Sequence, residues 1–411
     1  MATKTTYPVL SDRALNRATL DRQLLLRRVP RSGMSVKGAV EHLVGLQAQN
    51  VKPPYYALAA RLESFRPEEL SALMASREVA RLVTMRSTIH THSADDCLTL
   101  RPLLQPGAPD RELRAFRNRG GLAGVDPDRL RELTRELVEE EPRTMKQLRE
   151  ALLAHWPDAD PLSLSVAARC VLPLVQITPR GLWGRSGQVA LTTAEHWFGR
   201  GPVEPASPEA AVLRYLAAFG PASVKDMQSW SGLTRMRAVF ERLRPRLAVF
   251  RSDKGVELFD LPDAPRPDEN TPAPPRFLPE FDNLLLSHAD RGRVVAHPEY
   301  SSLTWRGNQA YCVFLLDGFL AGIWRLTENG GKGNGKRRTT RTAAPSDPES
   351  QPEPDASAGA AGSAESATLT VQPFGRLTRA ERNAVAAEAE LTLTTLSTAT
   401  AYDIRFGTVL E

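Results

Sequence analysis

Gln47 and Gln49 stand one residue apart in the stretch "VEHLVGLQAQNVKPP", residues Val40 to Pro54. An uncharged carboxamide carries both a donor and an acceptor. On a helix, residues i and i+2 point about 200° apart, whereas on an extended segment they share a face. Gly45 and the pair Pro53-Pro54 weaken a helix on either side of the glutamines. Both amides are therefore expected to project from a helix end into one space. Two amides so placed orient a water or bond a base edge without needing a pKa near neutrality. The plainer alternative is that they satisfy backbone groups of a loop. A second row of polar residues, Arg86, Thr88, His90 and His92, alternates along "MRSTIHTHS". If that stretch is extended, the four line one face and border the glutamines. The alternative is a half-buried strand turning polar residues toward water.

Other chemistries lack their residues. There is no phosphate-cradling P-loop, no dinucleotide glycine fingerprint and no GxSxG elbow. Asp95-Asp96 and Asp158 with Asp160 stand at helix starts, where capping explains them. Cys97, Cys170 and Cys312 lie far apart with no CxxC or HExxH, so neither a metal nor another cofactor is expected. The cysteine usage, together with the lack of a signal peptide or a transmembrane run, fits a cytoplasmic protein without membrane contact; a monomer is expected. The net charge of +5 comes largely from arginine. Arginine forks suit phosphates and base edges, although G+C-rich coding gives the same bias.

The elements that must hold these residues follow a repeating order. Residues 205–262 read as three helices and a hairpin. Ser207-Pro208, then Ser223 with Asp226, then Thr234 mark the helix starts, and "DKG" is the hairpin turn. Three helices and a wing make a winged helix. Residues 126–200 repeat the order, opened by Asp126-Pro127 and by a capping box of Thr144 with Gln147. Residues 1–125 repeat it less clearly, with helices expected near 15–27, 36–46 and 67–75. A proline-rich linker is expected at 263–275, then a C-terminal domain at 276–411 with a hairpin at Asp317-Gly318 and a low-complexity insert at 328–367 that is too poor in apolar residues to fold. The expected fold class is α+β: three tandem winged-helix units, mainly α with small β-hairpin wings, plus a C-terminal α+β domain.

The segments "GLQAQN", "MRSTIHTHSADD" and "LPEFDNLLLSHADRGRV", in that order, resemble the AlkZ/YcaQ family of bacterial winged-helix DNA glycosylases. Gln47-Ala48-Gln49 matches the Gln–apolar–Gln motif of the AlkZ-type branch. Ala48 is smaller than the usual middle residue. The resemblance implies a monofunctional enzyme that hydrolyses the N-glycosidic bond of N7- or N3-alkylated purines in double-stranded DNA, including bulky adducts and interstrand crosslinks, for repair or self-resistance to a genotoxin. It implies catalysis by Gln47 and Gln49. DNA contacts are expected from Asn50, Arg86, Thr88, His90 and His92, from Arg180 and Arg185 at a wing, from Arg235 and Arg237 on a recognition helix, and from His288, Asp290, Arg291 and Arg293. For the last four the plain alternative is an ion-paired turn. Lys332 to Arg341 are expected to be a soluble disordered linker, with a nonspecific DNA tether as the alternative.

The competing reading is a winged-helix transcription regulator without catalytic activity. A scaffold that binds proteins is a third class. No lysine placed for a Schiff base stands beside the glutamines, with Lys37 and Lys52 the nearest in sequence, so hydrolysis by water is expected.

Overall fold

The computed structural model describes residues 7–307, 309–329 and 364–409. Local signals formed many of the expected elements. Ser207, Ser223, Asp126 and Thr144 each cap a helix with their side chains, on Pro208–Phe219, Val224–Ser231, Pro127–Glu140 and Met145–Leu153. The Asp317-Gly318 turn joins Cys312–Leu316 to Phe319–Asn329, and both turn residues take positive φ.

The third unit folds as three helices and a hairpin, its core joined by Val44, Met85, Leu100 and Leu104 of the first unit and its hairpin extended by the parallel strand Val9–Leu10. Val212, Leu216, Phe219, Trp230 and Phe240 fill its core above the hairpin Ala248–Ser252 and Glu257–Asp260. Thr234 does not cap its third helix. Arg235 takes a left-handed backbone (φ 60°), Gln228 Oε1 accepts the Met236 amide at 3.1 Å, and the helix begins at Arg237–Leu243.

The first two units are not separate beads. Their strands form one six-stranded sheet in the order Leu46–Gln47, Ile89–Ser93, Val79–Val83, Leu174–Gln176, Ala190–Thr193, Arg143–Thr144. The join is antiparallel, with Arg81 opposite Gln176 and Leu82 opposite Val175. The first unit also shares a core with the C-terminal domain: Tyr55, Tyr56 and Leu58 pack with Phe277, Trp324 and Leu393. A buried bidentate pair, Arg61 with Asp282, binds the same two regions at 2.7 and 2.9 Å. Arg22 with Asp260, at 2.5 and 2.8 Å, ties the first helix to the third unit's wing.

Several expected boundaries move. The first helix is Asp12–Arg22 and the second Val36–His42, shorter than the apolar pattern suggests, because the chain turns at Leu24 and Gly45 through positive φ. Pro53-Pro54 does not drive the chain from helix but opens one, Pro53–Ala59, since its missing N–H groups fall where a helix has no partner for them. The proline-rich stretch 263–275 is laid down on the first helix. Arg17 Nε donates to the Thr271 carbonyl at 2.6 Å and Arg13 Nε to that of Glu269 at 2.9 Å. The strands Phe319–Asn329 and Ser366–Pro373 pair with each other and reclaim both edges of the expected insert. Its interior, including Lys332 to Arg341, lies outside the described residues.

Candidate functional site

The Gln-Ala-Gln motif sits on an edge strand and not on a helix end. Gly45 turns the chain at φ 90°. An ideal Cβ there would lie 2.3 Å from His92 Cε1, so glycine serves both the turn and the close approach. Asn283 Nδ2 donates to the Leu43 and Gly45 carbonyls, at 3.2 and 2.7 Å, and pins that turn from the C-terminal domain. The chain then runs antiparallel to Ile89–Ser93, with Leu46 opposite Thr91 and Gln47 opposite His90. The Ala48 amide donates to the Ile89 carbonyl at 2.7 Å. Because side chains alternate, Gly45, Gln47 and Gln49 share one face with Thr88, His90 and His92. Ala48 points the other way into the core and is fully buried, which suits its small side chain.

Gln47 is 7 % exposed. Its Oε1 accepts from Arg86 Nη2 at 2.8 Å. A guanidinium has only donors, so the carbonyl must face Arg86 and the amine is directed away from it. Gln49 Oε1 likewise takes the Ile89 amide, at 3.4 Å. Each carbonyl keeps a further lone pair.

Arg86 is not on a strand. It occupies the tight turn Met85–Ser87, and both Arg86 (φ 55°) and Ser87 (φ 58°) are left-handed without being glycine. Two such residues in succession are costly. They persist here because the guanidinium is held by Gln47, by the Trp230 carbonyl at 3.3 Å and by His90 Nε2 at 3.2 Å. Burial, and then repulsion from Arg291, lowers its pKa to about 10, which leaves it charged at neutrality. Arg291 itself is exposed.

The two histidines lie beneath the site and not on its surface; both are fully buried. His90 Nδ1 faces the Thr88 carbonyl at 2.9 Å and so carries the proton, leaving Nε2 to accept from Arg86. Burial first, then Arg86, holds its pKa well below the usual histidine value. His92 meets Thr84 Oγ1 at 3.0 Å, and burial lowers its pKa to about 4. Thr88 bonds the Met85 carbonyl at 3.0 Å. His90 and His92 therefore support the motif from below and have no surface to offer DNA, and Thr88 is nearly as enclosed.

The segment "SHADRGR" divides. His288 is buried against the Phe219 carbonyl at 2.9 Å, and Arg293 is buried on Thr19 Oγ1 and the Pro221 carbonyl. Both are internal struts, because the turn docks between the first helix and the third unit. Asp290 is exposed and ion-paired to Lys254 at 2.7 Å. At the second wing Arg185 is exposed, while Arg180 is half-buried beside Arg81. On the third unit Arg237 pairs with Glu257 at 3.1 Å and Glu241 at 3.5 Å. Asn50 Nδ2 donates to Glu280 Oε1 at 3.0 Å.

Besides Asn283, sequence reasoning missed two residues that hold the motif or the asparagine that follows it. Arg81, buried in the strand Val79–Val83, donates to the Ala48 carbonyl at 2.6 Å. A lone arginine inside the apolar run "VARLV" was its signal. Glu280 gathers Asn50 and the Cys312 thiol, at 3.0 Å each. Burial pushes the Cys312 thiol well above its usual pKa, so it is no nucleophile. Lys37 and Lys52 are turned to Glu78 and Glu328. Among the described residues no group of three or more His, Cys, Asp or Glu is placed to hold a metal ion, and no helix is long and apolar enough to cross a membrane.

Comparison with known proteins agrees with this architecture. The chain is 23 % identical over 335 residues to an interstrand DNA cross-link repair glycosylase of Streptomyces sahachiroi, covering 73 % of this chain and 84 % of the relative. Its fold matches the solved structure of the Streptomyces sahachiroi DNA glycosylase AlkZ with a TM-score of 0.70, at 20 % identity, covering 97 % of this chain and all of that one. The family model described as DNA glycosylase AlkZ-like matches residues 40–394. A match over most of the chain assigns it: this protein belongs to the AlkZ-like family of DNA glycosylases.

Proposed function

We propose that the protein hydrolyses the glycosidic bond of N7- and N3-alkylated purines in duplex DNA, acting as a monomer and without a covalent intermediate, and that Gln47 and Gln49 place the attacking water. The observation that carries this reading is the orientation of the Gln47 amide by a charged, buried Arg86. Alkylation at N7 makes the purine cationic and ready to leave, so the enzyme need only hold a water at C1′ and steady the sugar as charge builds there. The free carbonyl lone pairs of Gln47 and Gln49 accept the hydrogens of that water, and its oxygen lone pair is left for the sugar. The amines donate to the deoxyribose or a phosphate. The ion pairing of Lys37 and Lys52 supports water over an amine as nucleophile.

Interstrand crosslinks fall within the same proposal. The Streptomyces sahachiroi relative is named for their repair, and here the motif lies on an edge strand and not inside a sealed pocket, so a bulky or tethered base need not be enclosed. Arg86, Arg291, Asn50 and Arg185 are the DNA contacts that this arrangement favours among those expected from sequence. Arg235 is exposed beside the third helix and adds a peripheral contact. Self-resistance to a genotoxin is the biological setting we propose for such an activity.

The test is base release from duplexes carrying N7-methylguanine, and separation of strands joined by a purine N7 crosslink, by the wild type and by Gln47→Ala and Gln49→Ala. The proposal expects release by the wild type, an abasic product that stays intact until base is added, and loss of turnover with retained DNA binding in both variants. Prompt nicking with borohydride trapping, or variants as active as the wild type, would overturn it.

A further inference from the structure

The family membership supplies a DNA substrate but not the surface that holds the duplex. In a winged helix the expected surface is the third helix. In the third unit its arginines are neutralised: Arg237 and Arg244 pair with Glu241 and Glu257, and Arg242 pairs with Glu209 at 2.6 Å. In the second unit the third helix, Pro161–Val171, carries one arginine, Arg169, buried against Glu112, and on the first helix, Pro127–Glu140, Arg129, Arg131 and Arg135 each face an acid of that same helix. One helix differs. Ala108–Asn118 links the first two units and carries Arg111, Arg114 and Arg117, all exposed. Among the described residues no carboxylate lies within ion-pairing distance of any of the three. The acids of that helix are used elsewhere. Glu112 takes Arg169 at 2.7 Å and the Ser87 hydroxyl, and Asp110 takes the Gln105 amide at 2.5 Å. The inward acids fasten the helix and leave an outward basic stripe.

The stripe begins at the site. An open cleft of about 460 Å³ has Arg86, Ser87 and Gln228 on one side and Arg111, Glu112 and Ala115 on the other. Ser87, next to the arginine that holds Gln47, is bonded to Glu112 of the arginine helix. At a spacing of three residues the arginines climb about 9 Å along the axis within an arc of about 120°, room for two or three phosphates of one strand at roughly 3.4 Å of rise each.

We infer that Arg111, Arg114 and Arg117 bind successive phosphates of the DNA strand that leaves the Gln47 site across this cleft, so that the linking helix, and not a winged-helix recognition helix, is the main electrostatic contact with the duplex. The inference rests on the family's DNA substrate and not on the lesion chemistry proposed above. The experiment therefore uses undamaged duplex. Binding of the full chain to a short duplex is measured across a range of salt for the wild type, for Arg111→Gln/Arg114→Gln/Arg117→Gln, and for the charge-matched control Arg129→Gln/Arg131→Gln/Arg135→Gln. The slope of log K against log salt is expected to fall by about 2–3 in the first triple variant, roughly one per lost phosphate contact, and to stay within about 0.5 of wild type in the control. An unchanged slope in the first variant overturns the inference. So does an equal fall in both, which would be the loss of net charge alone. Thermal melts of both variants confirm that each binds as a folded protein; should the triple variant melt early, the single variants Arg114→Gln and Arg117→Gln read the same slope one contact at a time.

Discussion

The first and third units differ in how far their neighbours complete them. The third has a helical core of its own that Val44, Met85, Leu100 and Leu104 of the first unit join at one side, a hairpin extended by the strand Val9–Leu10, and a third helix whose arginines pair with acids of the same unit. The first is completed from more sides. Its strands continue into the second unit's sheet, and its core is finished by the C-terminal domain. The candidate site lies in the unit whose sheet and core are finished by its neighbours. An amide pair on an edge strand needs its backbone, its turn and its partner guanidinium held from several directions, and here Arg81 and Arg86, from a strand and the turn that follows it, and Asn283, from the C-terminal domain, do so.

That contrast can be broken or sharpened by substitution. The largest expected effect is on the bonds that fuse the first unit to its neighbours. Arg61→Ala leaves Asp282 buried without its partner and is expected to cost about 3–5 kcal/mol, read by urea unfolding. A loss under about 1 kcal/mol would mean that the unit does not depend on the C-terminal domain in this way.

Catalysis comes next. Gln47→Ala is expected to lower the single-turnover rate of N7-methylguanine release by about 10²–10³, or roughly 2.7–4 kcal/mol, the scale of losing one well-placed hydrogen-bonding group. Arg86→Lys keeps the charge but not the fork that spans Gln47, His90 and Trp230. Its rate should fall by about tenfold while duplex affinity changes less than threefold. Equal losses in both quantities would make Arg86 a DNA contact only.

The buried imidazoles give a pH dependence. His92 is held to a pKa of about 4, against about 6.5 in the unfolded chain. The native state thus binds fewer protons than the unfolded one. Stability is full above pH 6.5 and falls as pH drops from there toward 4, by about 2 kcal/mol at pH 5 from this residue. His288, lowered to about 3 by burial and Arg293, adds in the same sense. Unfolding midpoints at pH 7 and pH 5 check this, and His92→Asn should flatten the slope. The smallest effect belongs to the third unit. Arg237→Gln removes exposed ion pairs and should change stability by less than about 1 kcal/mol.

Much of this protein was legible before any coordinates. Side-chain caps act within a single turn, so Ser207, Ser223, Asp126 and Thr144 announced their helices from sequence. Turn chemistry at Asp317-Gly318 did the same. Gln47 and Gln49 were legible as a pair because an extended segment puts i and i+2 on one face. What had to wait for tertiary structure were the relations between distant segments. The pattern marks which face of a strand is buried but not which sheet it joins, so the fusion of the first two units was invisible. It shows that His90, His92, His288 and Arg293 are polar but not that docking encloses them, and so they read as surface. Whether an arginine is free or paired depends on acids far away in the chain. For that reason Arg237 and Arg111 look alike in sequence, and only the folded molecule separates them.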